Sequence, residues 1–376
     1  MEQSNFDKLR PYNDFEAKSA IARVVDNTEF KKVLNFLYFN ENFDDIISSF
    51  KKIETVSEFQ SKFSDYAIKK ILKLTSKGLK ISGLENLDKS KPYLFIANHR
   101  DVVLDSAIMQ VALLNNGYRT SQITFGSNLM TNDFIVDLGK LNKMFTFYRG
   151  GSKLRIYKNA LLHSAYMKNV LINENESIWI AQSDGRTKDG NDRTQKSLIK
   201  MLMVGRKDYL EALREFNVVP VTISYELEPC DYLKVYELYM SNLENYTKDE
   251  GEDFNSILTG IKGEKGEVNI VFGKPINNSL HDLENVEFND LATMVCDEID
   301  FQVYKSYVLQ KWNYVAWDMF KNSDIYLNDK YNQDDKYKFL KYMDNQLGKL
   351  KVDNSEFKNI FINMYANPVI NFRSIK

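Results

Sequence analysis

The residues equipped for chemistry sit together at 98–105, reading Asn-His-Arg-Asp-Val-Val-Leu-Asp. His99 is one of three histidines, with His163 and His281. It alone stands in a polar knot, between an apolar strand-like run at 93–97 and a helical pattern carried by Leu104, Ala107 and Ile108. An imidazole takes a proton at one nitrogen once a carboxylate fixes the other. Asp105, a turn into the helix, is the expected orienter, and Asp101 is the second choice. The plainer reading makes Asn98 or Asp101 a helix cap and His99 a surface residue.

Three more stretches run an apolar strand into polar residues. Residues 144–152 end in Arg149, Gly150 and Gly151. A strand at 178–181 leads to a loop with Asp184, Gly185, Arg186, Lys188, Gly190, Asp192 and Arg193. Arginine offers paired donors to a phosphate, and glycine lets the backbone approach one. The run 218–226 contains Pro220, which cannot donate to a ladder; this predicts an edge, a bulge or a strand start.

The elements that must position these residues are legible in the patterning. Residues 1–77 read as helical, with one apolar face at Phe30, Val33, Leu34 and Leu37 and another at Phe63, Ala67, Ile71 and Leu74. The second of these helices also carries Lys62, Lys69, Lys70, Lys73 and Lys77. Such a helix either packs on its own core or lies on an anionic membrane. From Gly78, strands at 79–82, 93–97, 122–126, 144–148, 177–181, 218–225 and 268–272 alternate with helices at 102–116, 152–173, 194–215 and 284–308. Alternation of this kind predicts an α/β domain over 78–285, a mostly parallel central sheet flanked by helices. Its polar strand ends would share one crevice at the carboxyl edge. A helical region, 286–376, completes the chain. Its aromatics, among them Tyr304, Tyr307, Trp312, Tyr314, Trp317 and Phe320, are core and docking residues. Residues 324–338 read as a solvated linker or helix start, and the tail as a short helix with a frayed end.

Composition narrows the function. Apolar residues make up 43% and charged residues 27%, and the net charge is −2. No global field recruits nucleic acid, so an anion site must be local. Cys230 and Cys296 form no disulfide framework or metal cluster, which fits a reducing cytoplasm. No signal-peptide pattern follows Met1, and no apolar run nears the roughly 18 to 20 residues of a spanning helix. Membrane contact is therefore expected to be peripheral.

In order and spacing, Asn98-His99 with Leu104-Asp105, then Arg149, then Asp184-Gly185-Arg186, then Val219-Pro220-Val221 resemble the four blocks of the glycerolphosphate and lysophosphatidate acyltransferase family. The resemblance covers roughly residues 78–275. Five residues, 100–104, separate His99 from Asp105, one more than the family's usual spacing. The third block is one residue short, with aspartate where the family usually has glutamate. The resemblance implies that His99 deprotonates an acceptor hydroxyl attacking an acyl thioester, with Asp105 as its orienter. No enzyme nucleophile is then needed. It places Asn98, Arg149, Asp184, Gly185, Arg186, Lys188, Arg193 and Pro220 in the acceptor site, the cations on a phosphate. Acyl-CoA or acyl carrier protein would donate the chain to glycerol 3-phosphate or its monoacyl form, with no metal or other cofactor. The product belongs in a bilayer, so docking on the anionic inner face of the cell membrane follows, with the 62–77 helix as first candidate. A phosphate-free lyso-lipid acceptor, or a catalytically inactive lipid-binding relative, is the alternative. His99-Arg100-Asp101 echoes a protein-kinase catalytic loop, but neither a Gly-rich loop nor Asp-Phe-Gly accompanies it. The Gly-x-Ser-x-Gly of a serine hydrolase is also missing.

Overall fold

The computed structural model describes residues 3–39, 42–243, 251–280, 283, 286–350, 352 and 354–375. Seven strands form one sheet: β1 (Ser76–Ser82), β2 (Leu94–Ala97), β3 (Gln122–Gly126), β4 (Met144–Phe147), β5 (Ile178–Ala181), β6 (Val218–Tyr225) and β7 (Gly266–Phe272). Their order is β1-β7-β6-β2-β5-β3-β4. The strands β6, β2, β5, β3 and β4 are mutually parallel, while β7 pairs antiparallel to β6 and carries β1 beside it. All seven expected strands form, most within two residues of the expected ends. β2 is buried at every position because its four residues, Leu-Phe-Ile-Ala, are apolar on both faces. Fully buried parallel strands need such unbroken apolar runs.

Pro220 lies in an interior strand, not at an edge. It is the third residue of β6 and pairs with Ile96 of β2. Its carbonyl accepts from Gly273, on the β7 side, and the β6–β7 ladder begins only at Val221. The donor that proline lacks therefore falls just beyond that ladder.

Helices Leu104–Asn115, Asp133–Leu141 and Lys153–Ile172 make three of the four parallel crossovers. The helix expected at 194–215 is two, Lys196–Met203 and Tyr209–Phe216. Gly205 turns with φ of 74°, and the Asp208 side chain caps the second helix by accepting from the amide of Glu211. Helices Asp231–Ser241 and Glu252–Lys262 are inserted between β6 and β7, where no helix was read from the sequence.

The N-terminal helices bury Phe30, Leu34, Phe63 and Ala67 in one cluster that includes Leu141 of the α/β domain. Lys140 donates to the carbonyls of Leu9 and Arg10, each at 2.6 Å, which ties the two regions together. The basic helix Asp65–Thr75 turns Ile68, Ile71 and Leu72 inward, but Leu74 and, on the earlier helix, Val33 are exposed. Lys62 pairs with Glu58, Lys69 with Asp65 and Lys77 with Glu226. Lys70 stands over the Phe39 ring. The apolar face of this helix is thus committed to the core. Of the five lysines expected on it, Lys62 lies in the turn before it and Lys77 on β1. Those two and Lys69 are ion-paired, which leaves little of the helix for a bilayer.

The tail forms a 20-residue helix, Ser355–Ser374, not a short frayed one. Phe357, Phe361, Met364 and Tyr365 bury one stripe of it among Trp317, Tyr331 and Phe339. Residues 324–332 form turns, and helix Gln333–Leu347 follows. Among the described residues no helix is long and apolar enough to cross a membrane.

Candidate active site

The polar stretches that follow β2, β4, β5 and β6 emerge at one edge of the sheet because those strands run parallel. His99 leaves β2 two residues after Ala97, and its Nδ1 lies 2.8 Å from Oδ2 of Asp105. Asp105 is held from all sides. Its Oδ2 also accepts the amides of Arg100 at 2.5 Å and Asp101 at 2.8 Å, and its Oδ1 accepts the Tyr225 hydroxyl at 2.7 Å. Burial opposes a charge here, yet the bonds from His99, Tyr225 and the backbone hold the carboxyl below its usual range. Tyr225 is pushed far above its usual value by burial and by the Asp105 charge, so it stays a donor. With Nδ1–H donated to Asp105, Nε2 carries the ring's lone pair.

Asp101 does a different job. Its Oδ1 accepts the amides of Val103 and Leu104, opening the helix. Burial, and then the neighbouring Asp105, raise its pKa. His99 thus bonds to Asp105, and Asp101, the second choice, is a cap. The His99 ring also meets Trp179 edge-on at 5.5 Å.

The β5 loop closes over this centre. Thr187 donates its amide to the His99 carbonyl at 2.6 Å, and Gln182 donates to Ala97. Arg149 reaches from β4 to Asp184 at 2.6 Å, with both side chains open to solvent. Arg186 and Lys188 instead turn to Glu237 at 3.4 and 2.7 Å, and Arg186 also donates to Ser256. Arg193 is exposed beside Tyr304, and Gly185 takes a left-handed φ of 84° that the loop's turn requires. Asn98 is fully buried: it donates to Asp192 and the Ile223 carbonyl and accepts from the Ile223 amide. Asn98 and Pro220 therefore shape the strand ends from inside the sheet.

A buried ion cluster under the loop was not read from the sequence. Arg100 has no exposed side-chain surface and bonds Asp192 at 2.6 Å, Glu228 at 3.1 Å and the Gly190 carbonyl at 3.1 Å. Its guanidinium stacks over Tyr307. Lys234, equally buried, bonds Glu228 at 2.5 Å and the Arg100 carbonyl at 2.6 Å. The tail helix seals this cluster from below. Its Tyr365 hydroxyl accepts the Glu228 amide and donates to Asp231, and Gly190 has no side chain to collide with the Met364 carbonyl.

His163 lies apart from this chemistry. It stacks on Phe147 at 4.1 Å, and its Nε2 accepts the Tyr148 amide. Burial pushes its pKa from 6.5 down to about 4. As pH falls through 6.5 the unfolded chain takes the proton first, so the stability present above pH 6.5 declines by about 3 kcal/mol toward pH 4. His163→Gln keeps an acceptor and removes the titration. Denaturant melts across that pH range should show the variant losing less stability than the native chain. Equal losses would mean that His163 does not titrate this way. His281 lies outside the described residues.

No curated protein matches the chain in sequence. The crystal structure of the 1-acyl-sn-glycerophosphate (LPA) acyltransferase PlsC from Thermotoga maritima is similar at 15% identity and a TM-score of 0.35, over 76% of this chain and 92% of that one. Residues 78–226 match the family model described as Acyltransferase, a span that holds His99, Asp105, Arg149, the β5 loop and β6. The chain's similarity to the acyltransferase family lies in this domain, residues 78–226.

Proposed function

We propose that the protein moves a fatty acyl group from a thioester, acyl-CoA or acyl carrier protein, to a hydroxyl of glycerol 3-phosphate or 1-acylglycerol 3-phosphate. The observation that carries this reading is the 2.8 Å contact between His99 and Asp105 at the carboxyl edge of the sheet. His99 Nε2 takes the hydroxyl proton as the acceptor oxygen attacks the thioester carbonyl. Asp105 orients the ring and offsets the imidazolium charge. Collapse of the tetrahedral adduct breaks the carbon–sulfur bond, and the departing thiolate takes the proton back from His99. The chemistry needs no side-chain nucleophile and no metal. The work is done in the cytoplasm, at the membrane surface that receives the product.

Arg149 is the cation best placed for the acceptor's phosphate, being open to solvent beside Asp184. Lys188 and Arg193 lie on the same loop. Removing the charge with Arg149→Gln should raise the acceptor KM by 10- to 100-fold, the worth of one charged hydrogen bond, and leave the donor KM within a factor of two or so. A collapse in donor affinity alone would assign Arg149 to the donor. One observation favours a phosphate-free lyso-lipid acceptor instead: Arg186 and Lys188 already share Glu237. Transfer of a radiolabelled acyl group by the purified protein, compared across glycerol 3-phosphate, its monoacyl form and a neutral lyso-lipid with both donor types, separates these readings. No transfer to any of them would overturn the proposal.

A further inference from the structure

We propose that the opening turns of helix Lys153–Ile172 are the surface that docks the protein on an anionic lipid bilayer. This deepens the reading above, since it rests on a product that must enter a membrane. The helix begins just after Arg149, at the edge of the sheet where His99 lies. Every residue from 153 to 158 is exposed. Leu154, Ile156 and Tyr157 leave 63%, 51% and 52% of their surface in water. Three large apolar side chains stand exposed within four consecutive positions, and exposed apolar groups clustered in this way mark interaction sites.

The charges point to the occupant. Lys153, Arg155 and Lys158 are interleaved with those apolar residues, and none of them makes an ion pair among the described residues. From residue 138 to 173 the chain has no Asp or Glu at all. The first turn of the helix carries no acid either. Cations at a helix amino end oppose the helix dipole, so local stability does not account for them. Apolar side chains that enter the acyl boundary, surrounded by cations at phosphate level, suit an anionic interface. The exposed Phe254 and Leu258 of helix Glu252–Lys262 are a weaker candidate, because Glu252 and Asp253 open that helix. The basic helix Asp65–Thr75 is weaker again, with its apolar face already buried.

The test is sedimentation of the full chain, without substrate, on vesicles of phosphatidylcholine with and without phosphatidylglycerol. Native protein should bind only the anionic vesicles, and less as salt rises. Each cation near such a surface is worth about fivefold in affinity, so the triple variant K153Q/R155Q/K158Q should bind roughly a hundredfold more weakly. The triple variant L154S/I156S/Y157S should also lose binding. Both should keep native transfer with water-soluble short-chain substrates, a readout of the acyl-transfer reading that does not depend on docking. Unchanged vesicle affinity in both variants would overturn the proposal, as would native protein that ignores anionic lipid. Loss of soluble-substrate transfer in step with binding would make the patch part of the catalytic crevice. Retained vesicle binding with lost affinity for an acidic carrier protein would make it a protein dock.

Discussion

His99→Ala should fold like the native chain and lose between about 10² and 10⁴ in turnover, the range a positioned general base supplies. Folding should survive because the ring's only hydrogen bond among the described residues is to Asp105, which keeps the Arg100 and Asp101 amides and the Tyr225 hydroxyl without it. Asp105→Asn should fall nearly as far in turnover, since an amide neither selects the Nδ1–H tautomer nor balances an imidazolium. Asp101→Asn keeps an oxygen to accept the amides of Val103 and Leu104, so it should stay within about tenfold of native. Single-turnover acyl transfer by variants with native circular dichroism separates these effects. Near-native chemistry in His99→Ala would remove the general base from the mechanism. A larger loss in Asp101→Asn than in Asp105→Asn would exchange the two carboxylates.

What could be read in advance follows from how local the cause is. The seven strands were legible because each is an apolar run bounded by polar or glycine residues, and burial on both faces leaves little choice of residue type. The helices at 231–262 escaped because their apolar residues are diluted: helix Asp231–Ser241 buries only four residues, three of them charged. The tail helix carries Pro368, which argues against a long helix when read locally, but tertiary packing of Phe361 and Tyr365 outweighs it. The histidine–carboxylate pair is local, six residues apart, so sequence alone narrowed it to two acids. The ion-pair partner of the cation loop was not legible for the opposite reason. Three cations near two glycines suggest a phosphate cradle, yet the acid that takes Arg186 and Lys188 is Glu237, on a helix that local pattern did not show.

The buried cluster is the extreme case, because the partners of Arg100 lie 92, 128 and 134 residues away at Asp192, Glu228 and Lys234. It also yields the largest expected change in stability. Burial works against a charge on Arg100, but Asp192 and Glu228 outweigh it and hold the guanidinium firmly protonated. Replacing Arg100 with methionine fills the space and strands the carboxylates. Glu228 keeps Lys234, but among the described residues Asp192 keeps only the Asn98 amide. Breaking one side of such a cluster costs roughly 3 to 5 kcal/mol, whereas removing both partners of a buried pair can be nearly neutral. Arg100→Met should therefore be strongly destabilised in denaturant melts, and Arg100→Met with Asp192→Leu should recover much of the loss. The Arg100 backbone gives its amide to Asp105 and its carbonyl to Lys234, so the same side chain anchors the loop that carries His99. Turnover of the single variant should drop even below its melting range, and the double variant should regain stability more than rate. A single variant within about 1 kcal/mol of native would show that the cluster is not what holds this loop in place.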